Sequence, residues 1–335
     1  MKIIILGGTG LLGSAAAKLM IENGHSVSSI SLPPVPENLD IPKQMKVILN
    51  NYMTMSDKEI EKVFMGYDAF VFAAGVDERV EFEAPVYDAY VKYNIEPLSR
   101  MLKIAKKVGI RHAVILGSYF SYFAKTWTHL KLEKHHPYIR SRIEQERVAL
   151  AFADEKFFVN VLELPYIFGV QNGRKPVWTI FVKQFEKPKT ILFPKGGTAM
   201  VTVNQVAHAI YHSILFGDMK KCYPIGYFNM DWKQLIHRVL IAMDMPNKKV
   251  ITVPKALAYI GFARLKSQYR KKGIEPGLHP TQFLKIMSRK TYIEPELSKD
   301  LQLPHDDINQ AIDDSISYAY KVFKNEFNVL EMKVK

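Results

Sequence analysis

The chain has 335 residues, 48% hydrophobic and 24% charged, with one cysteine and a formal net charge of +13. That length exceeds one small core and predicts two lobes. The composition excludes a disordered or disulfide-stapled chain, and no apolar run approaches a signal core or the roughly 18 residues of a membrane span.

Lys2-Ile3-Ile4-Ile5-Leu6 reads as a buried strand, Gly7-Gly8-Thr9-Gly10-Leu11-Leu12-Gly13 as a glycine turn, and Ser14 to Met20 as the start of a helix. Strand, glycine turn and helix in that order form a dinucleotide-binding unit. Gly7 lets the chain turn, Gly10 lets the backbone approach a pyrophosphate, and Gly13 lets helix and strand pack closely. The free N–H groups of the helix start face the phosphates.

Further strands are expected at His25–Ile30, Lys46–Leu49, Asp68–Gly75, His112–Gly117 and Phe157–Leu162, with one helix from Tyr87 to Val108 stopped by Gly109. Alternating strands and helices predict an α/β fold, a doubly wound parallel sheet of Rossmann type with about seven strands. Ligands on such sheets lie at the carboxyl ends of the strands, which selects the loops at Gly7, Ser31, Ala73, Ser118 and Pro165.

After Gly169 the pattern becomes irregular. Val201-Thr202-Val203 reads as a strand returning to the sheet, and from Tyr223 onward short helices alternate with proline loops. The expected division is 1–169 plus about 200–222 for the dinucleotide lobe, and 170–199 with 223–335 for a smaller C-terminal substrate lobe. Residues 1–170 carry 20 basic and 19 acidic side chains, against 26 and 14 in residues 171–335. A basic second half fits an acidic ligand, an acidic partner or an anionic membrane surface, and fits a merely soluble surface equally well. No aromatic-and-basic motif accompanies the charge, so nucleic acid is not expected. Lys255 to Lys272 holds six cations and no acid, with Leu257, Ile260, Phe262 and Leu265. A solvated face over a packed one is preferred there to an interfacial helix. His129, His135 and His136 lack metal-ligand spacing and read as surface. Cys222, the only cysteine, excludes an internal disulfide, reads as a small buried hydrophobe and fits a reducing cytoplasm.

Pro137-Tyr138 opens a helix in which Arg142 follows Tyr138 by four residues, on the same face. With the glycine loop, Ala73-Ala74-Gly75, Asn94, Ser118 with Tyr122, and Pro165 before Tyr166-Ile167-Phe168-Gly169, the chain resembles the extended short-chain dehydrogenase/reductases. Within them it resembles the NAD-dependent epimerase/dehydratase family. The resemblance runs from Met1 to about Gly169, and more weakly onward to about Tyr320. It implies NAD or NADP as cofactor and a small-molecule substrate, and leaves a homodimer open. Tyr138 is then the general acid/base, Ser118 the hydrogen-bond donor to the substrate oxygen, and Arg142 the supporting cation. Ala73, Ala74 and Gly75 line the nicotinamide ribose, and Asn94 holds the backbone of its own helix. With them Thr9, Leu11 and Leu12 of the glycine loop, Ser31, Asn51, Pro165 and Ile167 complete the expected cofactor contacts.

The departures carry information. Arg142 stands where the family has Lys; it keeps the charge that depresses the Tyr138 pKa but cannot pass on a proton. Ser31-Leu32 offers neither the acid for a ribose 2′-hydroxyl nor the arginine for a 2′-phosphate, a slight tilt toward NADP. Glu163 occupies a common arginine position, and Ala199-Met200 the place of a diphosphate-binding arginine. The expected function is an NAD(P)-dependent oxidoreductase or epimerase-type enzyme for a hydroxyl or carbonyl carbon. The alternative is a dinucleotide-binding sensor or scaffold without turnover.

Overall fold

The computed structural model describes residues 1–36, 38–327 and 329–330. Its strands in the first half are β1 (Lys2–Leu6), β2 (Ser26–Ser31), β3 (Lys46–Leu49), β4 (Ala69–Phe72), β5 (Phe82–Glu83), β6 (His112–Leu116) and β7 (Phe158–Glu163). The second half adds β8 (Tyr166–Phe168), β9 (Thr190–Pro194), β10 (Gly197–Thr202), β11 (Lys220–Pro224) and β12 (Phe228–Asp231). The last three are β13 (Lys249–Val253), β14 (Ile274–Glu275) and β15 (Lys290–Thr291).

Seven strands form one sheet in the order β11-β7-β6-β4-β1-β2-β3, and every adjacent pair is parallel. Both faces are covered, which is why β1 is apolar without alternation. Ile3 and Ile5 pack with Ala16, Ala17, Val206 and Ile210 on one face. Ile4 and Leu6 pack with Phe64, Leu98 and Leu102 on the other. The strand order reverses between β1 and β4, so their carboxyl ends open the crevice in which such sheets bind ligands.

Two expectations need correction. The strand around Val201 does not return to the large sheet. As β10 it is buried throughout and pairs with β8, β12 and β15, while β11 takes the seventh place beside β7. Apolar character marks a strand as buried without naming its neighbour, and the Lys-Lys-Cys-Tyr-Pro of β11 carries no strand pattern. The helix expected from Tyr87 is interrupted: Val86–Tyr90 and Glu96–Lys107 are α-helical, and Val91–Ile95 between them is a π turn. One inserted residue leaves the apolar spacing on either side intact.

The remaining chain builds a second core around Trp178, Phe185, Trp232, Leu235, Val239 and Ile316. Its own sheets have strands of two to six residues, too short to show a period. Among the described residues no helix is long and apolar enough to cross a membrane.

Candidate active site

At the carboxyl end of β1 the chain reverses through Gly7 at φ +90°, where a Cβ would lie 2.6 Å from the Ala73 carbonyl oxygen. A Cβ on Gly13 would stand 2.5 Å from the Gly7 oxygen. Both positions demand glycine, and the turn presses β1, β4 and the Leu11–Glu22 helix together. That helix starts at Gly10 with no side-chain cap and no acid in its first turn. The N–H groups of Leu11 and Leu12 therefore remain as donors, a set that fits the pyrophosphate of a dinucleotide.

Ser31, at the end of β2, turns its hydroxyl inward, accepting from Thr9 N at 3.3 Å and sharing a 2.7 Å bond with Ser29 Oγ. Thr9 O accepts from Gln171 Nε2 at 3.1 Å and from Arg174 Nη2 at 3.0 Å. Gln171 also donates to Ser14 Oγ and to Asp40 O, and its Oε1 accepts from Arg174 Nε. Burial pushes the Arg174 pKa down, and no ion pair to it occurs among the described residues. Sequence reasoning missed this pair, because nothing local ties residues 171–174 to a loop more than 160 positions earlier. Asn51 spends its Oδ1 on Met53 N at 3.0 Å, shaping the turn after β3 and leaving its Nδ2 as donor.

Asn94 is fully buried in the π turn and holds the loop after β4 rather than its own helix. Its Oδ1 accepts from Val76 N at 2.7 Å and its Nδ2 donates to Val76 O at 2.9 Å. The Asn94 carbonyl accepts from Gln145 Nε2 at 3.3 Å, and Gln145 Oε1 accepts from Arg142 Nη1 at 2.7 Å. Arg142 Nη2 reaches Val76 O at 3.4 Å. Gln145 of its own helix and the Val76 carbonyl thus hold the Arg142 guanidinium, whose carbon sits 5.0 Å from the centre of the Tyr138 ring.

Tyr138 lies in the first turn of the Pro137–Ala151 helix and is 4% exposed. Burial pushes its phenol up to about 12, and Arg142 opposes that rise while Glu78 and Asp77 add to it. The expectation of a depressed phenol therefore fails here, because desolvation outweighs the neighbouring cation. Its N–H donates to Gly277 O at 3.0 Å, so a strap from the C-terminal half covers the residue. Gly277 is obligatory in that strap, since a Cβ would fall 1.9 Å from Tyr90 Oη. Beside it His279 N donates to His136 Nδ1 at 3.0 Å. His136 is fully buried, against the surface reading, and burial holds its pKa down at about 3. The apolar neighbours that bury it come from the distant strap and from Phe283, invisible to local pattern.

Ser118 ends the loop after β6 and caps the Tyr119–Thr126 helix, accepting from Phe120 N at 3.4 Å. The Phe120 ring stands edge-on to Tyr138 with centres 6.4 Å apart, so the start of that helix lies against Tyr138. Pro165 separates β7 from β8, and Ile167 O accepts from Trp178 Nε1 at 3.0 Å. Asp77, Glu78 and Arg79 were not anticipated, although only Val76 separates them from Gly75. Asp77 pairs with Arg79, and burial together with Asp77 raises the Glu78 carboxyl. Behind the site, Glu163 and Glu146 share Lys125 at 2.8 Å each, and burial pushes Glu163 up to about 8. Cys222 packs on this side of the sheet as a partly buried thiol whose pKa burial raises.

The model of the NAD dependent epimerase/dehydratase family matches residues 3–226. No curated protein sequence matches the chain. Among solved structures the chain is similar to MoeE5 in complex with UDP-glucuronic acid and NAD, at 11% identity and TM-score 0.67 over 96% of this chain and 100% of that one. It is similar to the Bordetella bronchiseptica enzyme WbmH in complex with NAD+, at 15% identity and TM-score 0.67 over 98% and 99%. UDP-glucose 4-epimerase from Bifidobacterium longum, in complex with NAD+ and UDP, aligns at 15% identity and TM-score 0.64 over 98% and 100%.

Proposed function

The chain belongs to the NAD dependent epimerase/dehydratase family, and on that premise we propose that it is an NAD(P)-dependent oxidoreductase or epimerase-type enzyme. It acts on a hydroxyl or carbonyl carbon of a small substrate. The observation that carries this reading is the Tyr138–Arg142 pair, with Arg142 held by Val76 O and by Gln145, which Asn94 O in turn anchors. Nicotinamide, when bound, supplies hydride transfer. Tyr138 Oη gives or takes the hydroxyl proton, and Ser118 Oγ donates a hydrogen bond to the substrate oxygen. Arg142 supplies a fixed positive charge beside the phenol and a donor for the ribose. Leu11 and Leu12 hold the pyrophosphate, Ala73, Ala74 and Gly75 line the nicotinamide ribose, and Asn51 meets the adenine edge. We assign residues 1–169 with about 200–222 to the cofactor lobe and the rest to the substrate lobe.

The similar structures hold NAD. For this chain NADP is favoured by a modest margin, because Arg174 brings a cation without a carboxylate partner among the described residues to Thr9, next to Ser31. Ala199 and Met200 are fully buried, which argues against a nucleotide diphosphate seated on that strand.

One observation favours the second reading, a sensor or scaffold: Tyr138 lies under the Gly277 strap. Deuteride transfer from labelled NADPH or NADH to a panel of carbonyl compounds separates the two. Transfer to any of them supports the enzyme, and tight cofactor binding with none supports the sensor.

A further inference from the structure

The Lys255–Lys271 helix is 17 residues long and buries none of them. A helix on a globular surface normally buries a stripe of apolar side chains. Here only Ala258, Phe262, Ala263 and Tyr269 are largely covered. Leu257, Tyr259 and Ile260 are 49%, 52% and 50% exposed in its first half. Its second half carries Arg264, Lys266, Arg270 and Lys271 with no acid. Beside it β9 and β13 pair with Leu192 directly opposite Ile251, and both side chains face solvent at 56% and 47% exposure. An apolar tip, an apolar strand pair and a collar of cations therefore share one face.

We propose that this face docks on the surface of an anionic lipid bilayer. The charge decides the occupant. A second copy of the chain would bring two cationic stretches together, in each of which only Lys272 has an acidic partner, Glu81, among the described residues, and like charges repel. Nucleic acid would satisfy the cations and leave Leu192, Ile251, Leu257 and Ile260 in water. A bilayer interface accepts both, with aliphatic tips at the acyl boundary and Lys and Arg at the headgroups. The packed face expected from sequence is narrow, with Phe262 against the second core, and it leaves Leu257 and Ile260 uncovered on the outer side. Past the helix the chain continues through Gly273 into β14, which pairs with β5, and on to the strap over Tyr138. Docking does not depend on which reaction the site performs.

The test is co-sedimentation of the full chain with vesicles of phosphatidylcholine, alone or with about 30% phosphatidylglycerol, at about 0.1 M salt. Binding to the anionic vesicles and not to the neutral ones is expected. Leu257→Asp with Ile260→Asp, and separately Arg264→Gln with Lys271→Gln, should each weaken it by at least about tenfold. NADPH fluorescence serves as the check that both variants remain folded. No anionic binding, or equal binding to both vesicle types, overturns the proposal. So does anionic binding that survives the aspartate pair, or tighter binding to duplex DNA than to the vesicles.

Discussion

Arg142 is where residue chemistry departs most from expectation. Sequence alone treats it as a lysine that cannot relay a proton. In the fold, Nη1 and Nη2 are engaged separately, by Gln145 and by Val76 O, through a planar fork rather than a point charge. Burial raises the Tyr138 phenol, Asp77 and Glu78 push the same way, and Arg142 is the largest opposing charge. Removing it as Arg142→Gln leaves the upward influences unopposed, so the phenol moves above its present value of about 12. Proton abstraction needs the phenolate, so the rising limb of the alcohol-oxidation rate should shift to higher pH in the variant. Rates against pH for both proteins check this. An unchanged limb would mean that another group titrates.

At the scale of elements, the glycine loop was legible because its requirement is local: strand, tight turn and helix follow within fourteen residues. The segment at 171–174 was not, since its contacts with Thr9 and Asp40 arise only when β8 has been placed. Its arginine sets an expectation. NADP should bind more tightly than NAD, by less than about a hundredfold, or about 2.7 kcal/mol. Arg174→Ala should bring the two affinities together. Calorimetry with both cofactors decides, and an unchanged ratio in the variant would remove Arg174 from the site. Tyr138 and Arg142 were placed correctly on one helix face by their spacing, and Asn94 was recognised as a backbone holder. That it holds Val76 follows from the π turn, which leaves no trace in apolar spacing.

On the scale of the whole molecule, the two halves meet where His279 N donates to His136 Nδ1. His136 is buried and its pKa is lowered from 6.5 to about 3 by burial and by His279, His135 and Lys285. A lowered folded-state pKa adds stability that is complete above pH about 6.5 and is lost as pH falls toward 3. The full effect is on the order of 4 kcal/mol. Thermal unfolding of the wild type should therefore weaken between pH about 6.5 and 4, and His136→Asn, which keeps an acceptor, should flatten that slope. Equal slopes would show that His136 does not govern the contact. The small sheets of the second half and the thinly covered outer side of the Lys255–Lys271 helix were beyond local reading for one reason. Both depend on what packs against them, and their strands and faces are too short or too mixed to show it.

The central claim is that Tyr138 moves the proton while hydride moves at carbon, and it is tested most directly by deuteride transfer in Tyr138→Phe. A loss of about 10²–10⁴-fold in transfer to any carbonyl compound the wild type reduces is expected, with NADPH affinity nearly unchanged. Transfer by the phenylalanine variant at the wild-type rate would contradict it.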